Sequence, residues 1–581
     1  MDATSECEPL FLGLDLSTQQ LKGVLMNQHS SIVYEMGIVF DDELPEFNTS
    51  NGRYVNGDTV TAPVLMWVAA VDLFMSRLKA TGLAPYIHGI SGAAQQHGSV
   101  YWRQQGVEAN KQLDPHVSLR QQLETANAFA VLESPIWEDS STSEQCRNLE
   151  QSAGGASELA RITGSTAFER FTGPQIAKIK ETQPHVWSQV SQISLVSSFI
   201  ASLLVGDIAP TDSSDASGTN LYDIQQGRWS LELCDSIDPH LVRLLGERVV
   251  MANETVGRLS SYYTERYGIP RCPVVAFTGD NPSAFAGFES MFAAAGHSAA
   301  VMSLGTSDTV LFPLEKYPYS LNASSVAMQH LDGHVLQHPT DRNLYIAMLC
   351  YKNGSLARDW VRQHCLEPSS TWADFSNAAD IEPMAPKAFG FYYLSTEILP
   401  RAKGIYRFEQ RADGSIVCPS GTRYQPVTAF SVSDHPGDSR WSDARAIIES
   451  QFMSMCVDYA HKEAGAMTGI AITGGASSNP TLQQAVSDIM GVPVFATAIQ
   501  TTEGVDIKAP AMPAYGGAIR ALDQQSMSLT ANVSKDGSKY MLKHICSPNN
   551  RKHAVYVQAL ADFEFLRNCV SSGVCSSGAC P

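Results

Sequence analysis

Positive charge is scarce in this chain. Lys and Arg number 40 against 59 Asp and Glu, a formal net charge of −19 over 581 residues, which disfavours a polyanionic partner such as nucleic acid. A small anionic ligand is still compatible, but local amides, a divalent cation or a few arginines must hold it. A long hydrophobic run is also missing. The most apolar stretch, Ile193 to Ile208, is broken by Ser194, Ser197, Ser198 and Ser202 and is short for a bilayer span, so a buried helix with no membrane role is expected. The opening residues, Met1 to Pro9, have neither the basic segment nor the apolar segment of a secretory signal, which predicts a cytoplasmic protein. The 12 cysteines show no C-x-x-C spacing, as expected of reduced thiols. Cys569, Cys575 and Cys580 gather among Ser and Gly near the end, which reads as a flexible tail with free thiols rather than a metal site. The motif G-x-x-x-x-G-K-[ST] and the protein-kinase motif set are both absent, which argues against those two phosphotransfer designs.

One glycine-and-acid turn occurs twice. It lies in Phe11-Leu-Gly-Leu-Asp15-Leu-Ser17-Thr18 and again in Val301-Met-Ser-Leu-Gly305-Thr306-Ser307-Asp308-Thr309, each with apolar residues on both sides. Such a pattern predicts two strands joined through a turn whose amides and hydroxyls, that of Thr18 among them, can face phosphate. The two glycines are about half the chain apart, which suggests two related lobes, each supplying one jaw of a nucleotide cleft; the alternative is two unrelated hairpins. A chain this long exceeds a single core, and its 44% hydrophobic content fills two. Strands alternating with helices predict an α/β fold in two lobes. A helix is expected over Val60 to Thr81, a largely helical section from Ser118 to Leu204, and further helices over Asp443 to His461 and Arg551 to Asn568. The boundaries drawn are 1–290, 291–570 and a tail at 571–581.

Several residues could carry chemistry. Asp15 leaves a strand before two hydroxyl residues, a setting for Mg²⁺ near phosphate, or for a turn aspartate bonding its own backbone. Lys22 follows on the next strand and reads as a solvated edge charge. The strand Val274-Val-Ala-Phe277 delivers Thr278-Gly279-Asp280-Asn281-Pro282 at its carboxyl end, where α/β proteins place ligand chemistry. Asp280 there can accept a substrate hydroxyl's proton, the alternative being an N-cap. Thr473-Gly474-Gly475-Ala476-Ser477-Ser478-Asn479-Pro480 joins a strand to an amphipathic helix, with Asn479 and Pro480 placed as N-cap and N1 and the glycines leaving room for a flat adenine. His97 and Arg170 could contact sugar oxygens or serve structure, Trp137 and Asp139 could face a polyol, and Trp372 could pack on a base or on the core.

Taken in order, these motifs resemble the FGGY family of carbohydrate kinases, within the wider superfamily of actin, hexokinase and the chaperone ATPases. The resemblance spans about Phe11 to Leu522; its most specific stretches are Asp15 to Gln20, Ser91 to Gly98, Asp139 to Thr142, Phe168 to Gly173, Ile193 to Phe199, Phe277 to Pro282 and Ser303 to Asp308. It implies two actin/hexokinase-like (ribonuclease H-like) lobes around a cleft. It further implies ATP-dependent phosphorylation of D-xylulose at its C5 hydroxyl, with ATP and Mg²⁺ as cofactors. By the same resemblance Asp280 is the catalytic base, and His97, Arg170, Asp280 and Asn281 contact the sugar. Asp15 is associated with the metal, Gly305 and Thr306 with phosphate, and Trp372, Gly475, Ala476 and Asn479 with the nucleotide. Lys352-Asn353-Gly354-Ser355 and Tyr515-Gly516-Gly517 match second-lobe signatures with no catalytic role assigned. The competing expectations are a kinase for another ketose or polyol such as ribulose, and a non-catalytic ATP-dependent binding protein. Oligomeric state is not legible.

Overall fold

The computed structural model describes residues 8–296, 299–319, 333–367, 369–410, 416–417, 442–462, 464–501, 504–507, 511–526 and 538–572. Met1 to Cys7, Cys575, Cys580 and most of the stretch from 411 to 441 lie outside the described residues. In the first half, strands β1 (Leu10–Leu16), β2 (Gln20–Asn27), β3 (Ser31–Val39), β4 (Ile87–Ala94), β5 (Thr255–Arg258) and β6 (Pro273–Gly279) form one sheet. The second half supplies β7 (Ala299–Leu304), β8 (Asp308–Leu314), β9 (His334–Gln337), β10 (Tyr345–Tyr351), β11 (Gly469–Thr473), β12 (Val494–Thr501), β13 (Gly504–Ile507) and β14 (Ser538–Cys546).

The order across the first lobe is β5-β6-β4-β1-β2-β3, and across the second it is β14-β12-β11-β7-β8-β10-β9. Each lobe therefore places its first hairpin, β1-β2 or β7-β8, beside two parallel strands in the same order, so the twofold repeat seen in the sequence is a repeat of topology. The lobes are also spliced. β14 pairs with β12 along most of its length and reaches β3 through Ser538↔Ile32 and Lys539↔Ser31, giving a continuous 14-stranded sheet.

Two helices cross at the junction: α1 (Asp280–Ala295), which leaves β6, and α2 (Met512–Ser526). Although α2 comes late in the chain, it packs on β1 and β4 of the first lobe. The approach is so close that a Cβ on Gly13 would fall 1.8 Å from the Ala514 carbonyl oxygen, so only glycine fits there. Residue 290, the boundary read from sequence, falls inside α1.

Other expectations need adjusting. The stretch from Val60 begins as a strand, Thr59–Pro63, paired with Glu133–Pro135; the helix starts only at Val64, with Pro63 as its N-cap. β-branched Thr59, Val60 and Thr61 favour that extended strand, which is central in a three-stranded sheet. The section from Ser118 to Leu204 contains two strands, Glu133–Pro135 and Gln192–Leu195. The apolar stretch after Ile193 is part of the second of these, then a buried helix over Val196–Val205. Cys569 is not in a tail: it is buried in the last helix, Asn550–Ser571. Lys22 is not at an edge, because β2 lies between β1 and β3. Among the described residues, no helix is long and apolar enough to cross a membrane.

Candidate active site

The first wall of the site is built at the carboxyl ends of β1, β4 and β6. Register places Asp15 opposite Lys22 on one side and Ala93 on the other, and Gly279 opposite Ala94, so Asp15 and Asp280 lie at the carboxyl ends of parallel strands that flank β4. Burial pushes the Asp15 carboxyl up to about 7, with the Asp280 charge adding to the rise and Lys22 opposing it. Asp280 is pushed up to about 6, again by burial, against the pull of the Asn281 amide and backbone N–H. Asp280 is the first residue of α1, with Gly279 at the N-cap position, so it does not occupy the cap itself. Its Oδ1 accepts from Asn281 N at 2.8 Å and Asn281 Nδ2 at 3.1 Å.

His97 follows β4 in the left-handed region, φ 72°, a conformation costly for a residue with a Cβ and typical of ligand sites. Its Nδ1 is 2.8 Å from the Gly218 carbonyl, which makes Nδ1 the donor and leaves Nε2 as an acceptor. Burial and then the Arg170 charge push its pKa down to about 3, so the ring is neutral. It stacks on Phe171 at 4.4 Å between ring centroids. The preceding pair, Gln95 and Gln96, was quoted in the sequence motif without a role. Gln96 Oε1 accepts from Asn281 Nδ2 at 3.0 Å, and the Gln95 backbone N–H donates to the Leu16 carbonyl at 2.9 Å. Both Gln95 side-chain polar atoms, Gln96 Nε2 and Asp15 Oδ1 are buried without a hydrogen-bond partner. Orphaned groups are rare in folded chains, and such a concentration beside one carboxylate suits a polyhydroxyl ligand.

Asp139 is not free to face a polyol. Its Oδ2 accepts from Val60 N at 2.9 Å, while Oδ1 accepts from Ser141 N at 2.9 Å and Gln175 Nε2 at 2.7 Å, so its carboxylate holds the fold. Trp137 remains exposed, with its Nε1–H donated to Thr18 Oγ1 at 2.9 Å.

The second wall is at the carboxyl ends of β7 and β11. Gly474, at φ 89°, lets the β11 turn pass 2.5 Å from the Leu304 carbonyl as measured from the Cβ it lacks, and Ala476 N donates to that carbonyl at 3.2 Å. The turn at Gly305 and the turn at Gly475 are thereby held side by side. A Cβ on Gly475 would meet nothing within 4 Å, so its face is open. Asn479 caps α3 (Pro480–Met490) through Oδ1 and reaches Ser376 Oγ through Nδ2 at 2.9 Å. Ser376 lies on the helix opened by Trp372, whose ring is exposed with the Arg362 guanidinium 5.3 Å from its centroid. Trp372, Gly475, Ala476 and Asn479 therefore belong to adjoining segments.

Behind the Gly305 turn is a support that sequence reading missed. Asp308 Oδ1 accepts from Gly305 N at 3.1 Å, and Arg358, on the helix Ser355–His364, holds both Asp308 oxygens at 2.8 and 3.1 Å. Both side chains are about 1% exposed. The Lys352-Asn353-Gly354-Ser355 signature gains a role here: Ser355 N donates to the Gly305 carbonyl at 2.8 Å, and Glu397 accepts from the backbone N–H of Lys352 at 2.6 Å and of Asn353 at 3.0 Å.

No group of three or more His, Cys, Asp or Glu able to hold a metal exists among the described residues. Mg²⁺ characteristically uses one or two carboxylates plus phosphate oxygens and water, so the orphaned Asp15 oxygen, in a buried pocket that penalises its charge, fits that ion.

Raised carboxyl groups also set a pH signature. A carboxyl whose folded pKa exceeds its unfolded value near 3.8 contributes stability that is complete below that value and is lost as pH rises through the folded pKa. For Asp15 and Asp280 the loss spans about pH 4 to 7. The ligand-free melting temperature is expected to carry this downward component, and Asp15→Asn/Asp280→Asn should flatten it. An unchanged profile in melts recorded without Mg²⁺ or nucleotide would contradict the assignment.

Two paired ribonuclease H-like sheets with acidic and glycine-rich turns at their carboxyl ends define a phosphotransferase of the actin and hexokinase architecture. The model of the FGGY family of carbohydrate kinases matches the chain in both parts, its N-terminal domain over residues 10–287 and its C-terminal domain over residues 300–505. The chain belongs to the FGGY family of carbohydrate kinases. Xylulose kinase of Rattus norvegicus is 42% identical over 494 residues, covering 83% of this chain and 84% of that protein. Xylulose kinase 2 of Arabidopsis thaliana is 40% identical over 523 residues, covering 88% and 87%. The crystal structure of xylulose kinase from Rhodospirillum rubrum superposes with a TM-score of 0.71 over 97% of this chain and 99% of that one; at 15% identity it speaks for the fold alone.

Proposed function

We propose that this chain transfers the γ-phosphate of ATP to the C5 hydroxyl of D-xylulose, giving D-xylulose 5-phosphate and ADP. The observation that carries the reading is a carboxylate at about 6, Asp280, set among orphaned polar groups at the end of β6, in a chain about 40% identical to xylulose kinases over most of its length. Asp280 takes the hydroxyl proton as the oxygen attacks phosphorus. A base near this pKa is better matched to neutral pH than an ordinary aspartate. Orienting the hydroxyl is the larger part of its task where the transition state is loose.

His97 Nε2 and Asn281 Oδ1 accept from sugar hydroxyls, Arg170 donates to a sugar oxygen, and Gln95 and Gln96 supply further partners. Thr306, with Thr18 across the cleft, holds phosphate through amide and hydroxyl groups, Gly305 leaves room for its approach while its own N–H stays on Asp308, and Trp372, Gly475, Ala476 and Asn479 receive the adenosine. Asp15 would hold Mg²⁺, which when bound neutralises phosphate charge. Closure of the lobes excludes water, which would otherwise consume ATP. On this reading residues 1–290 carry the sugar and first phosphate turn and 291–570 the second turn and adenosine. The acidic charge and the eight free thiols among the described cysteines suit a cytoplasmic enzyme.

ADP release with Mg²⁺-ATP across D-xylulose, D-ribulose, L-ribulose, glycerol, gluconate and no sugar tests the reading. A dominant D-xylulose response is expected. Another preferred sugar would move the substrate, and sugar-independent behaviour would favour a binding protein.

A further inference from the structure

We infer that His334 is the positioning residue for Arg170, so that the second lobe sets the sugar-binding guanidinium of the first. The inference rests on the sugar contact proposed for Arg170. His334 begins β9, 164 positions beyond Arg170 in the chain, yet Arg170 Nη2 lies 2.7 Å from His334 Nε2. A guanidinium only donates, so Nε2 carries no proton and the ring's proton is on Nδ1, 3.1 Å from Ser165 Oγ. Burial, reinforced by the Arg170 charge, keeps the imidazole well below its usual range and therefore neutral.

The ring cannot turn away. It stands edge-on to Phe168 with centroids 4.6 Å apart and lies 5.0 Å from Phe171, the same Phe171 on which His97 stacks. The Arg170 guanidinium carbon is 5.0 Å from the Phe168 centroid and 5.7 Å from that of Phe171. Among the described residues Arg170 has no other hydrogen-bond acceptor, which leaves the remaining N–H groups of a planar five-donor fork for a ligand.

Backbone contacts fix where the histidine starts. Val335 N donates to the Gly164 carbonyl at 2.9 Å, Gln337 N to Ser217 Oγ at 3.1 Å, and Ser214 Oγ to the Gln337 carbonyl at 2.6 Å, all across the two lobes. The imidazole thus projects from a strand laid against the sugar lobe rather than from a free loop. Sugar affinity is linked to the seating of that strand, because separating it would take the acceptor away from Arg170.

The test uses the full chain. His334→Ala is expected to raise the KM for D-xylulose about tenfold or more while the KM for ATP stays within about twofold, the loss typical of a hydrogen bond to a charged group. His334→Gln, whose Oε1 can accept from Arg170, should recover most of the loss, and equilibrium dialysis of labelled D-xylulose without nucleotide should give the same order. Ser165→Ala removes the Nδ1 partner without emptying the ring's space and should raise the sugar KM alone by a smaller factor, which keeps the test decisive if His334→Ala does not fold. Equal shifts in both KM values, an alanine variant equal to wild type, or a glutamine variant no better than alanine would overturn the assignment. Wild-type turnover in the same assay separates the two readings: if another sugar is preferred, the substrate falls and the same ordering with that sugar decides His334.

Discussion

Asp280→Asn is expected to lower kcat about a thousandfold, within the range for removing a general base, with little change in sugar binding. The substitution keeps the size of the side chain and one carbonyl oxygen to accept from Asn281, so α1 and its first turn should stay in place. What is lost is the carboxylate oxygen proposed to take the hydroxyl's proton while ordering the attacking oxygen. A second signature distinguishes this from general damage. The Asp280 charge contributes to the rise in the Asp15 pKa, so its removal should shift titration of Asp15 downward. Single-turnover kinetics and calorimetric titration of sugar measure the first effect, and the pH profile of Mg²⁺-ATP binding the second. Retention of wild-type kcat would sink the base assignment.

Arg358→Met carries the other large expected effect. It strands the Asp308 carboxylate in a site about 1% exposed, a change that typically costs about 3–5 kcal/mol because a buried charge loses its partner. The Gly305 N–H stays on Oδ1, so the turn should keep its path while the neutral pair behind it becomes a net negative charge. An unpaired anion behind the turn proposed to hold phosphate would repel ATP, and the KM for ATP should rise with that for sugar nearly unchanged. Adding Asp308→Asn removes the stranded charge, so the double variant should be more stable than Arg358→Met alone and should regain part of its ATP affinity. Denaturation and KM measurements on the four members of this cycle check it. A double variant no better than the single one would show that Arg358 acts by packing.

Sequence legibility divides along the line between local and paired information. The two glycine-and-acid hairpin turns, the Asn479-Pro480 helix start and the helix over Asp443–His461 were all readable, because capping, glycine punctuation and apolar periodicity are written within a few residues. Lys22 was misread as an edge charge because only register shows that it sits opposite Asp15. Arg358 resembles any helical arginine until Asp308 is found 50 positions away, and His334 resembles a core histidine. Gln95 had a local signal, a pair of glutamines at a strand's carboxyl end, but its unpartnered atoms appear only after the surrounding backbone has closed over them. The reverse error arose at Asp139, where an acid beside an aromatic looked like a polyol contact and proved to be a bracket for Val60, Ser141 and Gln175.

The seat of α2 on β1 sets a timetable for the nascent chain. Gly13 leaves the ribosome early, but the Ala514 backbone that covers it arrives about 500 residues later, a delay on the order of half a minute to well over a minute at ordinary synthesis rates. During that interval the first sheet is synthesised without its covering helix, and its glycine-lined face is exposed to other apolar chains. Truncated products ending before Met512 should therefore accumulate as aggregates or chaperone-bound species rather than as an independent first lobe, and supplying the α2 segment in trans should increase their solubility.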